Sequence, residues 1–231
     1  MLFHQGWTDI VNCFALVSYF SERKDEIVLL IRDDSKELVD FYTKNISNVR
    51  VVYVKKEELD NPYTLVPYSM YKSDCLFGVH DRHRNDKFRT AFVPTDDFVN
   101  NFYTSYGLDP NIRMDSFSID RDLNAEEAKK REVVGDRTNY IVCHDTPETR
   151  IDGKKDEWIN MNCVSNVFFD CIKILEDADE LHLIDSVWAA ICYLLDCRYG
   201  LFQNKKVVVY CKRDYYQMFS SPRKLKNWTL V

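Results

Sequence analysis

The sequence is poor in glycine and lacks the glycine-rich motifs that bind phosphates in many nucleotide-dependent enzymes. Only six of its 231 residues are glycine. Neither G-x-G-x-x-G nor a P-loop occurs, and G-x-S-x-G is also absent. The usual dinucleotide fingerprint is therefore missing, which argues against an NAD- or ATP-dependent enzyme.

The sequence also shows no metal-binding pair of cysteines. We expect neither a signal peptide nor a membrane span. The eight cysteines form no C-x-x-C pair, match no zinc framework, and mostly lie within apolar runs. Met1–Gly6 has no charged segment followed by an apolar one, and no apolar run approaches the ~20 residues of a membrane helix. We therefore expect buried free thiols in a reducing compartment, in a cytoplasmic protein (the host cytoplasm for a viral one).

An excess of positive charge is absent as well. The formal net charge is −6 and the pI is about 5.4, whereas nucleic-acid binding requires a basic face. Nucleic acid is therefore not an expected partner, although a local cationic pocket is compatible with this balance. The apolar fraction of 45% is typical of a globular protein with a buried core.

The first half of the chain alternates between strand and helix patterns. The continuous apolar run within Glu26–Arg32 predicts a strand buried on both faces. Val49–Val54 predicts another buried strand, and Met1–His4 predicts a short strand before both. Apolar residues recur with a helical period in Asp9–Ser21 and Ser35–Lys44. This βαβαβ pattern with short connections implies a parallel sheet.

The second half repeats the pattern. Strands are predicted at Asn139–Cys143, Glu180–Ile184 and Lys206–Cys211, and a helix with an apolar stripe is predicted at Glu157–Leu175. The almost wholly apolar segment Ser186–Leu195 predicts a buried helix.

The middle of the chain connects these two units. We predict a further strand at Asp74–His80, a helix at Asp96–Tyr106 that Gly107 ends, and a charged, solvated linker at Asn124–Arg131, which lacks apolar periodicity.

The expected fold class is therefore α/β, with two Rossmann-like βαβ lobes, each built on a parallel sheet. The lobes are predicted at residues 1–135 and 136–231. A cleft between them, at the carboxyl ends of the strands, is the expected ligand site.

One candidate site segment, His4-Gln5-Gly6-Trp7-Thr8-Asp9, lies between the predicted first strand and first helix. Gly6 permits a tight turn or a close approach of the backbone. A carboxylate or imidazole within reach of a hydroxyl can act as a general base, so Asp9 and His4 are the candidates. Alternatively, Asp9 only caps the helix.

Three further candidate groups follow the strands of the second half. Asp185 and Ser186 begin the apolar helix, whose free N–H groups and dipole favour an anion. His144-Asp145 is followed by Arg150, whose guanidinium matches phosphate oxygens. Lys212, after the last strand, could reach a diphosphate. Each group also has a structural alternative. Asp185 and Ser186 then serve only as an N-cap, the segment with His144, Asp145 and Arg150 is a solvated loop, and Lys212 is an incidental basic residue after a strand.

Two weak metal patterns also occur. Asp120-Arg121-Asp122 is a D-x-D, which many metal-dependent transferases use to hold a nucleotide diphosphate through a divalent cation. His80-Asp81-Arg82-His83 has suitable residue types but lacks the rest of a site. The expected site contains no metal and no cofactor.

The strand-end motifs resemble the GT-B glycosyltransferases, loosely those of the heptosyltransferase type. The turn that carries Gly6 and Asp9 resembles the opening of their N-terminal lobe. Asp185-Ser186, followed by Val187-Trp188-Ala189-Ala190, resembles the turn that holds the donor diphosphate in their C-terminal lobe. Phe102-Tyr103-Thr104-Ser105-Tyr106-Gly107-Leu108, with Arg113 soon after, is similar to the late N-terminal lobe of glycosyltransferases from phages and large viruses.

The resemblance implies a metal-independent glycosyltransferase that moves a sugar from a nucleotide-diphosphate sugar to a hydroxyl of a glycan or glycoprotein. The base would be Asp9 or His4, and the acceptor would lie near Gln5, Gly6 and Trp7. The donor would be held by residues of the second lobe, namely His144, Asp145, Arg150, Asp185, Ser186 and Lys212. The alternative is a non-catalytic Rossmann-like module that binds a nucleotide or sugar phosphate. GT-B enzymes are usually longer than this chain.

Overall fold

The computed structural model describes residues 6–55, 98–104, 107–164, 168–211 and 225–231. It has a mixed α/β fold with parallel sheets, as predicted. The chain divides into two compact units, Met1–Ser118 and Ile119–Val231. None of the helices in the described ranges combines the length and apolar character that a bilayer-spanning segment requires.

The first unit contains a parallel pair of strands, with a helix in the connection between them and another helix before the first strand. Its elements are α1 (Trp7–Ser21), β1 (Ile27–Arg32), α2 (Lys36–Thr43) and β2 (Val49–Val54). The two strands pair in parallel from Ile27 opposite Val49 to Arg32 opposite Val54. The positions of these four elements agree with the sequence predictions, but β2 is not the buried strand that was expected, because only Val54 is buried and Arg50 is exposed. The predicted strands at Met1–His4 and Asp74–His80 lie outside the described residues.

Helix α1 forms the centre of this unit. Every residue from Asp9 to Val17 is buried, so side chains pack against the helix from all sides. Tyr42 of α2 stacks on Phe14 with ring centroids 3.9 Å apart, and its hydroxyl donates to the Phe14 carbonyl oxygen over 3.1 Å. Two shorter helices also contact α1, namely α3 (Phe98–Thr104) and α4 (Ile112–Asp115).

The second unit is built on a five-stranded sheet in which every pairing is parallel. Its strands, in chain order, are β3 (Ile141–His144), β4 (Ile159–Asn160), β5 (Glu180–Ile184), β6 (Lys206–Tyr210) and β7 (Trp228–Leu230). Their order across the sheet is β4-β3-β5-β6-β7. Strand β6 is an apolar run that is buried from Val207 to Val209, and β5 is buried from Leu181 to Ile184 although it includes His182. Both strands were predicted from the sequence.

The predicted linker at Asn124–Arg131 is wrong, because this segment belongs to α5 (Leu123–Val134). The Asp122 carboxylate caps the helix by accepting the backbone N–H groups of its first turn. The side of α5 that faces its neighbours carries Glu126, which is 1% exposed and ion-paired to Arg121 at 2.6 Å. Because one of its two buried residues is this charged Glu126 and the other, Val134, stands at its last position, the helix has no apolar periodicity.

The sequence predicts a lobe boundary between residues 135 and 136, and that boundary stays a prediction. The compact units divide the chain between Ser118 and Ile119. Helix α5 therefore belongs to the second unit, where it contacts α6 (Ile172–Asp177).

The prediction of one helix over Glu157–Leu175 is also wrong. The segment contains β4 and two 3₁₀ turns, Met161–Cys163 and Phe168–Cys171, before α6 begins. The side-chain oxygen of Asn160 accepts the N–H of Asn162 over 3.1 Å. Because asparagine satisfies the backbone in this way, it favours a turn over a helix.

Helix α7 (Val187–Tyr199) confirms the predicted buried helix. It ends at Gly200, whose φ of +69° only glycine adopts readily. The buried Asp196 accepts the backbone N–H of Phe202 and the indole N–H of Trp228, both over 2.8 Å. This carboxylate therefore ties the end of α7 to strand β7.

Candidate ligand-binding site

The strand order of the second unit creates a topological switch point between β3 and β5. After β3 the chain moves to one edge of the sheet to form β4, and β5 then lies on the other side of β3. The connections that follow β3 and β5 therefore leave the sheet in opposite directions. In open α/β sheets the resulting crevice, outside the carboxyl ends of the two strands, is where ligands bind.

Two of the predicted site residues contact each other at this switch point. His144 is the last residue of β3, and Ser186 lies two residues after the end of β5. Ser186 Oγ and His144 Nδ1 share a hydrogen bond of 2.9 Å. Both residues are buried, at 5% and 7% exposure. The structure thus brings the predicted group after β3 and the predicted group after β5 into direct contact through these two side chains.

Ser186 stands immediately before α7 without capping it through its side chain. Its backbone is extended, and its hydroxyl is directed to His144 instead of to the N–H groups of the first helical turn. The amino terminus of a helix of this length carries a partial positive charge. Ser186 and the first turn of α7 therefore form a polar edge that favours an anion.

Asp185 lies between the ends of β5 and β6 and is 1% exposed. Its backbone N–H donates to the Tyr210 carbonyl oxygen over 3.2 Å. Cys211 follows Tyr210, and burial, together with the negative charge of Asp185, raises the pKa of its thiol. This pKa argues against Cys211 as a thiolate nucleophile.

Asp145, the residue after β3, is surrounded by donors from the segment that follows it. One oxygen accepts Lys154 Nζ over 2.8 Å and Asn160 Nδ2 over 2.6 Å. The Ile151 backbone also hydrogen-bonds the carboxylate. Burial opposes ionisation, but these bonds and the Lys154 charge outweigh it and hold the pKa below its usual value. Sequence reasoning missed Lys154 and Asn160, since only the path of the loop brings them to Asp145.

Arg150 is exposed and makes no hydrogen bond to His144, Asp145 or Ser186 among the contacts of the described residues. The turn before it is closed by two backbone hydrogen bonds of 3.1 Å between Thr146 and Thr149. Its guanidinium is therefore accessible to a ligand. Lys212, the other predicted cation, lies outside the described residues.

One face of the five-stranded sheet carries an aromatic cluster that sequence reasoning also missed. His182 of β5 donates to or accepts from the Tyr210 hydroxyl over 3.0 Å and contacts Glu180 over 3.0 Å. The Trp158 ring lies 4.4 Å from the imidazole centroid. The polar side chains of this cluster therefore hydrogen-bond one another. Ile151 and Trp158, from the segment after β3, pack against this face of the sheet. The alternation along Glu180–Ile184 was the only available signal.

In the first unit, Asp9 is buried at 7% exposure in the first turn of α1. A Cβ on Gly6 would lie 2.9 Å from Asp9 Oδ2, so the carboxylate folds closely over the glycine. Trp7, the first residue of α1, is half-buried. His4 and Gln5 lie outside the described residues, so their roles stay predictions.

Within the described ranges, no group of three or more His, Cys, Asp or Glu side chains is arranged to hold a metal ion. In the D-x-D pattern, Asp122 caps α5 and Arg121 binds Glu126 and Glu176 at 2.6 and 2.8 Å. The geometry therefore gives two of the three residues structural roles. His80–His83 lies outside the described residues.

Comparison of the chain with protein families, with curated proteins and with solved structures finds no match in any of the three.

Proposed function

We propose that the second unit binds a phosphorylated ligand at the switch point between β3 and β5, as the donor-binding half of a metal-independent glycosyltransferase. The observation that supports this is the coincidence of two independent features. Topology predicts a ligand at the ends of β3 and β5. The polar contact between His144 and Ser186 lies at those two ends, next to the amino terminus of α7.

In this proposal each group has a distinct task toward a nucleotide-diphosphate sugar. The first turn of α7 and the Ser186 hydroxyl bind the diphosphate, and His144 orients that hydroxyl. Arg150 contributes a cation to the same phosphates, and Lys212 a second one. Asp185 accepts a ribose hydroxyl. Fixed donors and cations neutralise the departing diphosphate, so that no metal is required.

The acceptor half belongs to the first unit. In this proposal Asp9 or His4 takes the proton of the acceptor hydroxyl, and Gln5, Gly6 and Trp7 bind the acceptor. The resemblance of the two turns to that family supports this arrangement.

The first experiment is a thermal-shift screen of the full chain against UDP, GDP, ADP, CMP and their sugar conjugates, with and without Mg²⁺. Binding to the native state alone raises the melting temperature by mass action. We expect a metal-independent shift with one nucleotide series. Ser186→Ala should reduce that shift, whereas Ser47→Ala, an exposed serine of the first unit, should not. No shift with any compound contradicts the proposal.

A non-catalytic nucleotide or sugar-phosphate module is the second candidate, and the burial of Asp9 favours it. A carboxylate at 7% exposure, folded over Gly6 in the first turn of α1, has the position of a helix-stabilising acid. The two candidates differ in turnover. A transferase releases the nucleotide from its donor sugar in the presence of an acceptor, and either Asp9→Asn or His4→Gln should abolish this release without loss of donor binding. Binding without any release identifies a module.

A further inference from the structure

The segment that follows β3 holds Arg150 between two closed turns. The turn before Arg150 is closed by the reciprocal bonds between Thr146 and Thr149, and the Thr149 N–H also donates to Thr146 Oγ1 over 3.1 Å. The turn after it is closed by the Lys154 N–H, which donates to the Ile151 carbonyl oxygen over 3.3 Å. The backbone on both sides of Arg150 is therefore fixed, while its side chain is exposed.

Ile151, the residue directly after Arg150, is held in place by its side chain and by its backbone. Its side chain is 4% exposed and packs with Cys143 and Ile184 against the sheet. Its backbone hydrogen-bonds the Asp145 carboxylate. Gly153, with φ +77°, provides the left-handed residue that the following turn needs.

Asp145 connects these turns to the sheet. Its carboxylate binds the backbone of Ile151, the ammonium of Lys154 and the amide of Asn160, which belongs to the neighbouring strand β4. The side chain is 8% exposed. Three donors from three points of the segment therefore converge on one buried acid.

The same contacts make Asp145 a poor ligand-binding group for a phosphate. A carboxylate repels a phosphate, and this one already accepts hydrogen bonds from its own loop. Because Lys154 neutralises Asp145, the positive charge of Arg150 remains for the ligand.

We infer that Asp145 is a positioning residue, which sets the loop so that Arg150 reaches the phosphates of a ligand at the switch point and which does not itself contact that ligand. This inference rests on the proposed function of the second unit. It changes the role that the sequence predicts for Asp145, and it adds Lys154 and Asn160 as the residues that hold Asp145 in place.

The test is a double-mutant cycle on affinity. UDP, GDP and ADP are titrated calorimetrically against the wild-type chain, and the tightest of them serves as the probe. Arg150→Met should weaken it about tenfold or more, as expected for a lost charge-assisted hydrogen bond. Asp145→Ala should weaken it in the wild-type background and have no further effect in the Arg150→Met background. A merely structural role would not give this coupling.

Two further variants keep the test decisive if Asp145→Ala unfolds. Asp145→Asn retains an acceptor for Ile151 but loses the ion pair with Lys154, so it should show a smaller effect with the same coupling. Asp156→Asn removes one exposed acid from the same loop and should leave affinity unchanged. Equal loss of affinity from Asp145→Ala or Asp145→Asn with and without Arg150 shows direct ligand contact and overturns the inference. No loss in the wild-type background also overturns it.

A ligand-free measurement separates this inference from the proposed function. Hydrogen exchange of the Ile151 amide should be slow in the wild-type chain and faster in Asp145→Ala. Fast exchange of this amide in the wild type shows that Asp145 does not hold the Ile151 backbone, and it overturns the inference. If the wild type binds none of the three nucleotides while the amide is protected, the proposed function fails and the ligand role of Asp145 fails with it.

Discussion

Removing Arg121 should destabilise the second unit far more than removing Lys129, a similarly half-buried cation of the same region whose partner is exposed. Arg121 donates two hydrogen bonds to Glu126, at 2.9 and 2.6 Å, and a third to Glu176 at 2.8 Å. The Glu126 side chain is 1% exposed, whereas that of Arg121 is 20% exposed. Arg121→Met would leave the Glu126 charge buried without its main partner.

The expected magnitude follows from the burial of Glu126. Breaking a buried ion pair by removing one partner costs about 3–5 kcal/mol. The partial exposure of Arg121 lets water replace some of its interaction, so we expect a loss of about 2–4 kcal/mol in the free energy of unfolding. Lys129→Met is the matched control, because Lys129 pairs with the exposed Glu132 and such pairs contribute about 0.2–1 kcal/mol.

Urea denaturation of the full chain, with hydrogen exchange of α5 to localise the effect, measures both losses. The double variant Arg121→Met with Glu126→Leu should recover most of the stability, since apolar residues often replace a buried ion pair without loss. A loss below about 1 kcal/mol for Arg121→Met, or no recovery in the double variant, would refute the argument that a charged pair forms the buried contact of α5.

Three other predictions concern the sheet and its loops. Ser186→Ala removes the hydrogen bond to His144 and should cost about 1–3 kcal/mol in a denaturant titration; an unchanged midpoint would show that the contact is not formed. Gly200→Ala should cost about 1–2 kcal/mol, since φ is +69° and the new Cβ would lie 2.6 Å from Gln203 Nε2; adding Gln203→Ala should recover only the steric part. Asp145 has a lowered folded pKa, so its stabilisation is present above its unfolded pKa of about 3.9 and is lost as the pH falls through the folded value. Unfolding titrations from pH 6 to pH 2 should therefore show a shallower acid loss for Asp145→Asn, and equal slopes would contradict this assignment.

Most strands and the buried helix α7 could be predicted from the sequence because apolar residues occupy their buried positions. The apolar run that forms β1 is continuous from Ile27 to Ile31, β6 carries three successive valines, and α7 is almost wholly apolar. Helix α5 could not be predicted in this way, since one of its two buried residues is Glu126, whose burial depends on an arginine outside the helix.

The candidate site was partly predictable for a topological reason. Carboxyl ends of neighbouring parallel strands meet at one edge of a sheet, so residues after β3 and β5 were expected to approach each other, and His144 and Ser186 do. The partners of Asp145 were not predictable. Lys154 and Asn160 reach it only because the loop closes successive turns, and no local pattern encodes that path.

The burial of α7 also has a consequence for the entropy of binding. All its residues from Val187 to Asp196 are buried, and Trp188 packs edge-to-face on Phe168 with centroids 4.9 Å apart. A helix enclosed on every side can neither rotate nor slide without disrupting its neighbours. The N–H groups after Ser186 are thus already oriented before any ligand arrives. An anion that binds there would lose its own freedom of motion but would not have to order the protein, which is the condition under which a few hydrogen bonds give useful affinity.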